Sequence, residues 1–263
     1  MLITLSNIKN LLELLNDDIN IKKLINIEPI GIALVEFYKA IQLDKKIDTS
    51  KNSSSTPLIQ FRNEQDINKV TQDITNQILE NSKLLTINDK EDLDKYLKYL
   101  ISEIMDNVIS HSYSTIGGCV SAKYYSEQNK VQVVIIDNGI GLLKGLSNHH
   151  SVKNEKEAIK KAMEKEVTGS NTFKTYNNIQ KHAGLGLYFL SKIIEYTKGK
   201  LLIVSNDTIY NSTYEEYITI NSPFRGTLVA FEIYEKELAY EFKTLHSIIR
   251  DEDKNEDEDE DIF

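Results

Sequence analysis

"EIMDNVISHS", residues 103–112, sets Glu103, Asp106, Asn107 and His111 among the apolar residues Ile104, Val108 and Ile109. The stretch is the C-terminal half of "TINDKEDLDKYLKYLISEIMDNVISH", residues 86–111, where Leu93, Leu97, Leu100, Ile101, Ile104 and Val108 recur at helical spacing. Asn88 and Asp89 are cap candidates, and acids fill the first turn. One long helix is therefore expected, with one stripe packed and another polar. Glu103, Asn107 and His111 stand at i, i+4 and i+8, one turn apart along a single stripe. A carboxylate one turn from a carboxamide suits a hydrated Mg²⁺: the cation takes the amide oxygen and keeps its waters, and the carboxylate orients or deprotonates one of them. A solvated polar face has the same spacing, so this helix alone does not decide the chemistry.

Outward from that helix, "CVSAKYY" (119–125) and "VQVVIID" (131–137) read as strands around the polar turn "SEQNK". Residues 143–181 are polar and rich in Lys and Asn, with a helix expected within "KNEKEAIKKAMEKE". "AGLGLYFLSKIIEYTKGK" is a Gly-rich turn opening an amphipathic helix that ends near Gly199. "LLIVSN", a hairpin around "TIYNSTYEEYITI" and "GTLVAFEIY" add strands. Helix, two strands, a polar insertion, a helix and three or four strands predict a two-layer α/β (α+β) sandwich. Its sheet is expected to be mixed but mostly antiparallel, with helices on one face.

Two glycine motifs sit on these elements. In "DNGIGL", 137–142, Asp137 ends a strand and Gly139 and Gly141 follow, holding a carboxylate beside a backbone that a ligand can approach closely. Such a carboxylate can accept a hydrogen bond from an exocyclic amino group. In "HAGLGLYFL", Gly184 and Gly186 open a helix, where unpaired N–H groups and the helix dipole suit a polyphosphate. The Gly-Lys-Ser/Thr of a P-loop is absent.

In this order the motifs resemble those of the GHKL superfamily, named for gyrase, the Hsp-type chaperone, histidine kinases and MutL, whose ATP site is the Bergerat fold. "EIMDN" resembles its N-box, "DNGIG" its first glycine box, "GLGL" its second, and Gly226-Thr227 in "RGTLVAFEI" its final strand motif. The resemblance covers about 86–235. It implies that Asn107 coordinates Mg²⁺ between the phosphates and that Glu103 polarises the attacking water or hydroxyl. It further implies that Asp137, with Thr227 through a water, reads the adenine amino group. Gly139 and Gly141 would admit the base and ribose, and Gly184, Leu185, Gly186 and Leu187 would hold the phosphates. Residues 143–183 would be the ATP lid, with Lys174 and Lys181 among its candidates for a γ-phosphate contact. Ser110 stands where histidine kinases often carry Lys, Asp106 resembles gyrase and MutL, and His111 resembles kinases and anti-sigma factors. Residues 1–110 contain no histidine, so autophosphorylation of the two-component kind is not expected of this chain alone.

Composition bounds the rest. Hydrophobic residues at 40% and charged residues at 27% are ordinary for a globular protein. The net charge of −9 is concentrated in "DEDKNEDEDEDIF", 251–263, which carries nine acids and one Lys and leaves the remainder near neutral. That tail is read as solvated and disordered, and it suits a basic partner. Residues 1–85 are read as an N-terminal helical or mixed module, 86–235 as the ATP-binding domain and 236–250 as a C-terminal helix. One cysteine, Cys119, admits no internal disulfide or cysteine-based zinc site. The N-terminus is interrupted too often by polar residues for a signal or membrane segment, so a cytoplasmic setting is expected. A protein partner or homodimer is expected, with no membrane association, and nucleic-acid binding is not indicated. Three activities fit: slow ATP hydrolysis coupled to lid closure, a serine/threonine protein kinase of the anti-sigma-factor type, and a non-catalytic nucleotide sensor.

Overall fold

A computed structural model describes residues 59–82, 87–165, 167, 174–176, 179–181, 186–219, 225–235 and 237. Most of the expected N-terminal module, the C-terminal helix apart from its start, and the acidic tail lie outside them. The chain begins its described course with strand β1 (Ile59–Phe61), helix α1 (Glu64–Asn81) and the long helix α2 (Ile87–His111). The hairpin β2 (Gly118–Tyr125) and β3 (Lys130–Asp137) comes next, then α3 (Gly141–Leu146), α4 (Glu155–Ala162) and a small hairpin of β4 (Lys174–Tyr176) and β5 (Ile179–Lys181). Helix α5 (Gly186–Tyr196), β6 (Lys200–Ser205), β7 (Thr208–Asn211), β8 (Glu216–Thr219) and β9 (Thr227–Tyr234) complete it.

Seven strands form one sheet in the order β1-β2-β3-β9-β6-β7-β8, and every pairing is antiparallel. The mostly antiparallel sheet that was expected is present, and its pairing is antiparallel throughout for a simple reason. Strands β3 and β6 do run the same way, but β9 lies between them and pairs antiparallel with both. The last strand thus enters the middle of the sheet.

Local chemistry accounts for the elements. The Asn63 side chain caps α1 by accepting from the Asp66 N–H at 2.9 Å. The stripe Ile67, Val70, Ile74 and Ile78 is buried, and so are Leu97, Leu100, Ile101, Ile104 and Val108 of α2. These meet Phe61, Val120, Val133, Ile135 and Phe231 in one core. Each fully buried Leu, Ile or Phe there stabilises by about 1.5–3 kcal/mol relative to exposure. Helix α2 starts at Ile87, one residue before the first cap candidate, within the usual uncertainty of helix ends. Strand β2 alternates buried and half-buried residues, whereas β3 is buried throughout, with Val131, Val133 and Ile135 on the helical side and Val134 and Ile136 on the reverse. On that reverse face burial pushes the Cys119 thiol up to about 11, so it stays protonated and unreactive near neutral pH.

The first half of the expected lid is structured. Leu146 of α3 and Ala158, Ile159 and Ala162 of α4 are buried in the core. Among the described residues no helix is long and apolar enough to cross a membrane.

Candidate functional site

The polar stripe of α2, the end of β3, the start of α5 and the start of β9 converge on the helical side of the sheet. They line a cleft that opens to solvent. Ile104, Val108, Ile135, Leu187 and Val229 supply apolar wall, and Asn107, His111, Ser112, Asp137 and Thr227 supply polar groups.

Asp137 is the electrostatic centre of this cleft. Its side chain is only 3% exposed. The Gly139 N–H donates to Oδ1 at 2.6 Å, and Thr227 donates from both its backbone and its side chain. Burial pushes the carboxyl up to about 6, against the opposing pull of those hydrogen bonds. At neutral pH the group is an ionised acceptor fixed at the end of a central strand.

The final strand can approach only because of a glycine. Gly226 has φ +118°, and a Cβ there would lie 2.3 Å from the Asp137 carbonyl oxygen. A second close approach joins α5 to α2: a Cβ on Gly186 would lie 2.9 Å from Glu103 Cβ and 3.6 Å from Asn107 Nδ2. Gly186 of the second glycine motif therefore rests directly on the Glu103–Asn107 stripe, and the α5 N-terminus, the end at which a helix leaves its first N–H groups without intrahelical partners, is brought beside it.

Of the expected site residues, Asn107, Asp137, Gly141, Leu187 and Thr227 line the cleft together. Gly139 is buried against Ser112, and Glu103, 7% exposed, lies against Gly186 rather than among the lining residues. His111 lines the cleft, while exposed Ser110 and half-buried Asp106 are both outside the lining. Gly184 and Leu185 lie outside the described residues. Lys174 and Lys181 are register partners across the β4–β5 hairpin.

Several walls went unread in the sequence. Leu142 and Leu146 of α3, Ala162 of α4 and Val167 close the cleft on the side expected to be a polar lid. The spacing of Leu142 and Leu146, four residues apart, was the available signal for α3. Among the described residues no three His, Cys, Asp or Glu side chains gather as a metal cage. A Mg²⁺ carried by a polyphosphate needs only one or two protein oxygens, and Asn107 in the wall with Glu103 one turn back fits that requirement.

A family model described as histidine kinase-, DNA gyrase B- and HSP90-like ATPase matches residues 93–236. No curated protein matches the chain. The matched span holds α2 from Leu93 onward, the cleft and the central sheet through β9. It covers more than half of the 263 residues, and the chain belongs to the family of histidine kinase-, DNA gyrase B- and HSP90-like ATPases, whose nucleotide-binding domain it carries.

Proposed function

We propose that the domain binds ATP with Mg²⁺ and hydrolyses it slowly, closure of residues 143–183 switching a partner protein or the chain's own N-terminal segment. The observation that carries this reading is Asp137, a buried carboxylate at a largely apolar cleft whose lining also includes Asn107. An acceptor-only group held by Gly139 and Thr227 suits the exocyclic amino group of adenine and rejects a base that presents a carbonyl there. Ile135, Leu146 and Val229 would remove the ring from water.

Asn107 would hold the Mg²⁺ that arrives with the phosphates, and the bound ion would neutralise charge on their oxygens. Glu103 would orient the attacking water, one helical turn from Asn107. The α5 N-terminus would receive phosphate oxygens on its N–H groups. Catalysis of this kind rests on positioning and electrostatics, with no covalent intermediate.

ATP labelled on its γ-phosphate tests the reading. Release of labelled phosphate by the purified chain supports hydrolysis; transfer of label to a partner replaces it with a protein kinase. Tight binding with neither outcome leaves a nucleotide sensor. Glu103→Ala is expected to retain binding and lose turnover, and turnover that survives the change refutes the role given to Glu103.

A further inference from the structure

Glu155 opens helix α4 and is 6% exposed, yet the helix does not need it as a cap. Asn154 Oδ1 already accepts from the Glu157 N–H at 2.9 Å, and Glu157 Oε2 accepts from the Lys153 N–H at 2.9 Å. The Glu155 carboxylate reaches elsewhere. Oε2 accepts from the Ser205 hydroxyl at 2.6 Å and from the Leu143 N–H at 3.1 Å, and Oε1 accepts from Asn206 Nδ2.

Those partners are themselves tied to the cleft. Ser205 Oγ accepts from the Leu142 N–H at 2.8 Å. Asn206 Nδ2 also donates to the Ile140 carbonyl at 3.1 Å, and its Oδ1 accepts from the Gly226 N–H at 3.3 Å. The fit is tight: Gly141 has φ +77°, and a Cβ there would stand 2.1 Å from Asn206 Nδ2. Through Asn206 one carboxylate thus grips both backbone segments that flank Asp137, the glycine turn after β3 and the Gly226-Thr227 entry to β9. Through its own helix it holds Ala162, and through Leu143 it holds α3, whose Leu142 and Leu146 line the cleft.

We propose that Glu155 is a positioning residue for nucleotide binding, a latch that sets the spacing between the α3–α4 wall and the glycine turn; the proposal rests on the ATP-binding reading above. Glu155 does not line the cleft. Its three donors are neutral, and burying a charge among neutral groups is costly where packing alone is needed. The charge strengthens three bonds that converge from separate elements.

Calorimetric titration of ATP and ADP, each with Mg²⁺, separates positioning from general stability. Glu155→Gln places an amide N–H₂ against at least one donor, and Kd for both nucleotides is expected to rise about tenfold with full stoichiometry retained. Ser205→Ala, which removes one donor and keeps the carboxylate, is expected to give about a threefold rise and serves if Glu155→Gln does not fold. Ile78→Ala, in the core of α1, should lower the competent fraction and leave Kd unchanged. If the Glu155 and Ser205 variants behave like Ile78→Ala, or weaken ATP but not ADP, the latch is refuted. A wild-type chain that binds neither nucleotide removes the ATP reading itself, a result distinct from unchanged variants of a wild type that binds.

Discussion

Asp137→Asn is expected to make the ligand-free protein more stable at neutral pH while abolishing adenine-nucleotide binding. Folding moves this carboxyl from a usual value of 3.8 to about 6 because burial disfavours its charge. Between those values the folded chain holds a proton that the unfolded chain has released, so this group's contribution to stability falls as pH rises through about 4 to 6. A shift of about two pKa units corresponds to about 3 kcal/mol of strain in the ionised state at pH 7. The amide is a permanent analogue of the protonated acid, so the variant escapes that cost. At roughly 2–4 °C per kcal/mol for a domain of this size, Tm should rise by about 6–12 °C at pH 7. The two proteins should converge near pH 4. Thermal unfolding monitored by circular dichroism at half-unit intervals from pH 4 to 8, without nucleotide, measures the difference. A constant gap between wild type and variant across that range, or a wild type that gains on the variant as pH rises, refutes the strained carboxylate.

Three further outcomes follow from the same geometry. ATP affinity of the wild type, followed by calorimetry, should weaken as pH drops below about 6, because protonated Asp137 offers the adenine amino group a competing O–H. Gly226→Ala forces a Cβ to within 2.3 Å of the Asp137 carbonyl oxygen at a φ of +118° and should cost about 2 kcal/mol or more in urea unfolding. Glu232, fully buried, receives Lys130 Nζ at 3.1 Å and Gln132 Nε2 at 2.9 Å; Glu232→Leu should destabilise by about 3–5 kcal/mol by stranding the ammonium, and adding Lys130→Met should restore most of the loss.

The amphipathic helices and central strands were legible because their signals are periodic. The stripe from Leu97 to Val108 announced α2, and the runs around Val134 and Val229 announced β3 and β9. Members of the cleft were legible too: Asn107, Asp137, Gly141, Leu187 and Thr227 belong to local sequence motifs, and the structure sets them around one cavity. Helix α3 was missed because six residues with two glycines leave little periodicity to read. The order of the strands was also out of reach, since nothing in "GTLVAFEIY" states that the last strand enters between β3 and β6.

The sequence by itself determined the elements and the chemistry they carry, because a helical stripe, a strand-end aspartate and a glycine turn are local patterns. Only the tertiary structure decided which of those groups meet and what holds them there. Gly186 lies against Glu103, Gly226 lies against Asp137, and Glu155 lies under Ser205 and Asn206. In sequence Glu155 is an ordinary acid in the first turn of a charged helix, indistinguishable from its neighbour Glu157. Burial separates them: Glu157 serves its own helix end, while Glu155 is covered by the β6–β7 turn, where an unmet carboxylate oxygen would be costly and must find its donors among residues distant in the chain.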